Sequence, residues 1–104
     1  MLVSQLINAK GNPASNQFVI DLGNRIIFQS YASLIVDINY SEYVITIGDD
    51  YNYSRTTGKH RNIFFEDFRL YEIANLKGLE RALKDGHFES YGTTWNIKRG
   101  TITV

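Results

Sequence analysis

The spacing of apolar residues changes partway along this chain, and that change determines its fold class. In the first half, large apolar residues recur at every second position, as at Phe18, Ile20 and Leu22. This is the period of a β-strand that buries one face. In the second half the period becomes helical, as at Phe64 and Phe68. The chain therefore belongs to the α+β class.

The first half predicts an antiparallel meander of four or five strands. Gly23-Asn24 separates two apolar runs, and a two-residue loop of this type is a hairpin signal because both residues tolerate positive φ. The segment 39–42 provides the next turn. The predicted strands are residues 17–22, 25–30, 34–38 and 43–47, with an additional edge strand at 3–7.

The second half predicts two helices. The first runs over residues 58–68 and takes Thr56 or Thr57 as its N-cap. The second runs over 76–85, with Asn75 as N-cap and Gly86 just past its end. The tail around 95–104 alternates again and predicts one or two short strands that close the sheet. The complete prediction is an antiparallel sheet of four to five strands with two helices packed on one face.

Composition excludes several classes of protein. A chain of 104 residues with 43% hydrophobic and 21% charged residues forms one ordinary globular domain. The absence of cysteine excludes disulfides and thiolate metal sites. The N-terminus lacks the pattern of a signal peptide, and no run approaches a membrane helix, so we expect a cytoplasmic protein.

No catalytic or metal-binding motif is legible in the sequence. His60 and His87 are the only imidazoles and lack the spacing of a metal-binding pair. Asp49-Asp50 lacks the spaced carboxylates of a calcium loop. Ser54 and the two following threonines precede His60 without the context of a catalytic nucleophile, and hydroxyls before a helix are usually caps. We expect no cofactor, no metal and no enzymatic activity.

The segment 51–62, which reads YNYSRTTGKHRN, concentrates aromatic rings, hydroxyls and cations at a predicted helix start. Such a start favours an anion, although the glycine spacing of a P-loop is absent. Alternating tyrosines fit a contact site and the face of a strand equally well. The net charge of zero weighs against generic nucleic-acid binding. The predicted partner-binding residues are Tyr51, Tyr53, Arg55, Lys59, His60 and Arg61.

Three motifs carry a resemblance to a known group of proteins: NQFVI from residue 16, FQSYASLI from 28, and YNYSRTTGKHRN from 51. In this order they resemble small, mostly uncharacterised proteins of phages, prophages and plasmids in Gram-positive bacteria. This chain departs by having Tyr51 where a tryptophan is common, and by continuing beyond Gly86 with a longer tail.

The resemblance implies a mobile-element protein in the cytoplasm of a bacterial host. The expected function is anti-CRISPR-type inhibition, in which the protein binds a host defence machine such as a Cas nuclease complex. The alternative is a nucleic-acid-binding accessory or regulatory protein that uses segment 51–62 on phosphates and bases.

Overall fold

The computed structural model describes residues 1–104 as one seven-stranded sheet with two helices. The first five strands follow each other along the chain, and two more come after the helices. A short 3₁₀ turn at Tyr71–Ile73 joins the helices. The elements are β1 Leu2–Ile7, β2 Pro13–Asp21, β3 Arg25–Ser30, β4 Ser33–Asn39, β5 Val44–Ile47, α1 Arg55–Asp67, α2 Leu76–Asp85, β6 His87–Ser90 and β7 Thr93–Arg99.

The sheet order is β1-β2-β3-β4-β5-β7-β6, and all neighbours are antiparallel except β5 and β7. The α+β class is confirmed, but a sheet of four to five strands is too small and one pair is parallel. The parallel pair arises because β6 runs opposite to β5 and returns the chain to the end of the sheet where β5 begins, so that β7 then runs in the direction of β5. β6 had little apolar signal of its own, since Phe88 is its one large apolar residue.

Both helices begin at polar caps. Helix α1 starts earlier than predicted, at Arg55, because Ser54 Oγ accepts a hydrogen bond of 3.1 Å from the backbone N–H of Thr57. The prediction of a threonine cap was therefore wrong. Helix α2 has its predicted bounds, with Asn75 Oδ1 accepting from the Gly78 N–H at 2.8 Å. Gly86 ends this helix in the left-handed region.

Both helices pack on one face of the sheet, as predicted. Paired residues of adjacent strands share a face, so Phe28, Val36 and Ile47 lie together. The ring of Phe64 in α1 stacks on Phe28 with 5.4 Å between centroids. Leu79 of α2 belongs to the same buried cluster. This cluster of 17 buried residues is the main core.

The opposite face of the sheet is covered by the last residues of the chain. Ile102 packs on Ile20 and Ile27 in a smaller buried cluster. Arg25 Nη2 donates to the Thr103 carbonyl and to Asp37 Oδ2, both at 2.7 Å. The segment after β7 is thus a strap across the sheet and not a strand. No helix in the structure is long and apolar enough to cross a membrane.

Candidate functional site

Segment 51–62 forms the turn before α1 and the first two turns of that helix. Tyr53 is 81% exposed in the turn. Arg55 and Lys59 are also exposed and stand four residues apart, on the same side of the helix. Neither cation makes an ion pair, since the two ion pairs of the molecule are Arg25–Asp37 and Arg99–Asp49. These three predicted contact residues are free on the surface.

Arg61 lies inside the protein, contrary to its predicted place on a contact surface. Its side chain is only 1% exposed. Nη1 donates to the Tyr51 carbonyl at 2.7 Å, and Nη2 donates to Asn62 Oδ1 at 2.9 Å. Burial lowers the pKa of the guanidinium. Arg61 therefore braces the turn against the helix and is not available to a partner.

Gly58 lies one helical turn before Arg61, close to its guanidinium. A Cβ at Gly58 would lie 3.7 Å from both terminal nitrogens of Arg61 and 3.6 Å from Asn52 Oδ1. These are ordinary contact distances, so the inward position of Arg61 does not require a glycine here. The sequence signal for the proximity of Gly58 and Arg61 was their three-residue spacing, which places both residues on one side of a helix.

Tyr51 is half-buried and connects the turn to two other elements. Its hydroxyl donates to Glu80 Oε2 of α2 at 3.1 Å. The guanidinium carbon of Arg99, at the end of β7, lies 5.0 Å from the centroid of its ring. Burial, followed by the hydrogen bond to Glu80, raises the pKa of Tyr51. The hydroxyl and the ring of Tyr51 therefore already make contacts within the protein.

His60 is half-buried on α1 and bonds within its own helix. Its Nδ1 lies 2.8 Å from the carbonyl oxygen of Thr56. Because a carbonyl only accepts, Nδ1 carries the proton and Nε2 is left free. His60 forms no hydrogen bond with the hydroxyl of Ser54, Thr56 or Thr57.

A cleft of about 500 Å³ adjoins the exposed part of this segment. It lies between the β3–β4 turn and the start of α1. Tyr31 and Tyr53 stand at its sides, and Asp50 accepts a hydrogen bond of 2.8 Å from Ser33 Oγ within it. Tyr31 is 58% exposed and has a φ of 54°. The cleft is lined by Ser30, Tyr31, Ala32, Ser33, Ile35, Asp50, Tyr53 and Thr57.

Sequence reasoning missed Tyr31. Its signal was the Ser30-Tyr31-Ala32-Ser33 break between two strands, but only the fold brings that turn beside Tyr53. Gln17 pairs with Ser30 across β2 and β3, and its fully buried amide has no hydrogen-bond partner in the protein. One polar side chain of the core thus remains unpaired next to the cleft wall.

Four exposed residues around the cleft and on α1 form what we call the contact surface: Tyr31, Tyr53, Arg55 and Lys59. The chain contains no group of three or more histidine, aspartate or glutamate residues placed to hold a metal. The contact surface presents two aromatic rings with their hydroxyls and two cations to solvent.

Comparison with known proteins places the chain in a family. The chain matches none of the curated proteins and none of the solved structures with which it was compared. Residues 1–81 match the family of unknown function DUF8033. The match includes segment 51–62 and Tyr31, and it ends within α2, before β6 and β7. Because it covers 81 of the 104 residues, the chain belongs to the DUF8033 family.

Proposed function

We propose that this protein acts by binding a macromolecular partner through the contact surface, without catalysis and without a cofactor. One observation carries the proposal. Within one short segment, Arg61 and Tyr51 are tied into the fold, whereas Tyr53 is 81% exposed beside two unpaired cations. A large aromatic side chain that is mostly exposed to solvent is the kind of group that anchors interfaces.

A protein partner fits this surface better than nucleic acid does. Since Arg61 is internal, segment 51–62 presents two strong cations on the surface instead of three. Asp50 lines the adjoining cleft and would repel a phosphate. The net charge of zero supplies no wider basic field. Tyrosine and arginine are also enriched at protein interfaces.

The most specific form of this proposal is an inhibitor of a host defence machine. The resemblance to small phage, prophage and plasmid proteins supports a mobile-element protein acting in the bacterial cytoplasm. There, an anti-CRISPR-type protein would bind a nucleic-acid-guided nuclease such as a Cas complex and block it. The alternative remains an accessory protein that binds nucleic acid, which the exposed Tyr53 and Arg55 support chemically.

A charge-reversal variant tests the site. Arg55→Glu and Lys59→Glu are combined with Tyr53→Ala, and Arg61 is left intact so that folding is preserved. The matched control is Lys77→Glu with Arg81→Glu, an exposed lysine and arginine at the same spacing on α2. Both proteins are assayed against purified guided nucleases for inhibition of target cleavage, and for direct association with the nuclease.

We expect the wild-type protein and the control to bind and inhibit at least one nuclease, and the contact-surface variant to lose at least tenfold in affinity. Binding to labelled single strands and duplex is measured in parallel at low and physiological salt. Steeply salt-dependent nucleic-acid binding without nuclease inhibition would favour the alternative. Equal inhibition by the variant and the control would remove the contact surface from the proposal.

A further inference from the structure

Strand β1 forms one edge of the sheet, and its residues Leu2–Gln5 pair regularly with β2 before a bulge between Gln5 and Ile7. Its outer backbone groups face no other strand, because β2 is its one neighbour. Leu2 is 74% exposed and Val3 is 58% exposed, and they point to opposite faces of the sheet. Residues 1–9 contain no charged side chain. The edge therefore offers unpaired backbone groups together with exposed apolar side chains.

The other edge of the same sheet is built differently. Strand β6 has four residues, against six in β1. Two of its four residues, His87 and Glu89, are exposed and polar. Short length and charged side chains are the features that keep a strand edge from pairing with another chain. The molecule thus protects the β6 edge by short length and charge, whereas on β1 the stretch Leu2–Gln5, before the bulge, remains open.

We propose that β1 is a self-association edge, at which two copies of this chain pair their β1 strands antiparallel. The inference is independent of the proposed function. An antiparallel pair of identical strands is self-complementary about a twofold axis, so one surface serves both copies. Because residues 1–9 carry no charged side chain, pairing with a second β1 brings no like charges together.

The geometry of the pair explains why apolar side chains are exposed on both faces of β1. The twofold axis runs perpendicular to the sheet, so the two sheets join into one of fourteen strands. The helix layers of both copies then lie on the same face. Leu2 lies at the join on the helix-covered face and Val3 on the opposite face, beside its cross-strand neighbour Ile20. Across the join each of these side chains gains side chains of the second β1 as neighbours, which removes part of its apolar surface from water.

A charge exchange on β1 tests this inference. Val3 and Gln5 lie two residues apart and share one face. We prepare Val3→Lys with Gln5→Lys, and Val3→Glu with Gln5→Glu. Around a twofold axis each variant opposes its own charges, whereas a mixed pair brings opposite charges together. The molar mass of the untagged full chain is measured by analytical ultracentrifugation over a concentration series.

We expect the wild-type protein to approach twice its mass of 11.9 kDa. Each charged variant should weaken self-association at least tenfold, and an equimolar mixture of the two should restore the doubled mass. The matched controls place the same charges on β7 at Thr94 and Asn96, which are exposed positions in the interior of the sheet. These controls should associate like the wild type.

Three results would overturn the proposal. The first is a wild-type protein that stays at 11.9 kDa up to about 1 mM, the range of very weak binding. The second is a mixture of the two variants that associates no better than either alone. The third is open-ended growth into fibres, because a closed twofold pair stops at two copies. Circular dichroism confirms that each variant is folded before its mass is interpreted.

Discussion

Replacing Arg61 with alanine tests whether this arginine stabilises the fold from a buried position or contacts a partner at the surface. The substitution removes the 2.7 Å hydrogen bond to the Tyr51 carbonyl and the 2.9 Å hydrogen bond to Asn62. Hydrogen bonds from a charged donor contribute about 1.5–3 kcal/mol each, and a carbonyl left without a donor costs about 1–3 kcal/mol. Burial of the guanidinium, which lowers its pKa, offsets part of this gain. We expect a net loss of about 3 kcal/mol.

Thermal and urea unfolding measure the effect. For a domain of this size, about 3 kcal/mol corresponds to a fall in Tm of roughly 12–24 °C. Arg61→Lys should also destabilise the protein, because an ammonium cannot reproduce the planar fork that reaches both acceptors. The matched control is Arg55→Ala, an exposed arginine on the same helix, which should stay within about 0.5 kcal/mol of the wild type.

A stabilising role of Arg61 would be refuted if Arg61→Ala lowered the free energy of unfolding no more than Arg55→Ala does. A neutral Arg61→Lys would refute the narrower statement that the shape of the guanidinium matters. If Arg61→Ala instead left stability unchanged and removed partner binding, the residue would return to the contact surface, and the buried position described above would be wrong for the protein in solution.

Two further predictions concern the same segment. Gly58→Ala should be neutral or stabilise the protein by about 0.4–1 kcal/mol in urea unfolding, because the added Cβ makes ordinary contacts and restricts the unfolded chain; a loss above about 1 kcal/mol would show that Arg61 needs more room. Tyr51 should make the free energy of unfolding decline in alkali. Its pKa is raised in the folded protein, so the folded state holds the phenol proton more tightly than the unfolded state does. The stability that Tyr51 contributes is therefore complete below about pH 10, the ordinary tyrosine pKa, and is lost as the pH rises through the pKa of the folded state. Urea midpoints between about pH 8 and 11 should decline less in Tyr51→Phe than in the wild type, and equal declines would contradict this linkage.

The sequence determined the local structure wherever one periodic pattern met a clear stop signal. Helix α2 is the best case, because Asn75 and Gly86 are unambiguous caps and the apolar positions between them form one stripe. The hairpin at Gly23-Asn24 and the alternation through β2 to β5 were legible for the same reason. Helix α1 was displaced by three residues at its start, because Ser54 and the two threonines after it are all acceptable caps and only tertiary packing selects among them.

The sequence also located segment 51–62, which supplies Tyr53, Arg55 and Lys59 of the contact surface, but it could not distinguish the exposed residues of that segment from the buried ones. An arginine next to a lysine and a histidine has the composition of a surface, and nothing local shows that Arg61 turns inward over Gly58. Tyr31 is 22 residues away from Tyr53 along the chain, so its place beside the cleft depends on the sheet.

Tertiary structure alone decided the parallel pairing of β7 with β5, the strap that covers Ile20 and Ile27, and the open edge at β1. Strand pairing joins segments distant in the chain, and its choice depends on which apolar faces remain uncovered after the helices have packed. A periodic pattern states which face of a strand is apolar. It contains no information on which other strand, helix or second copy of the chain will cover that face.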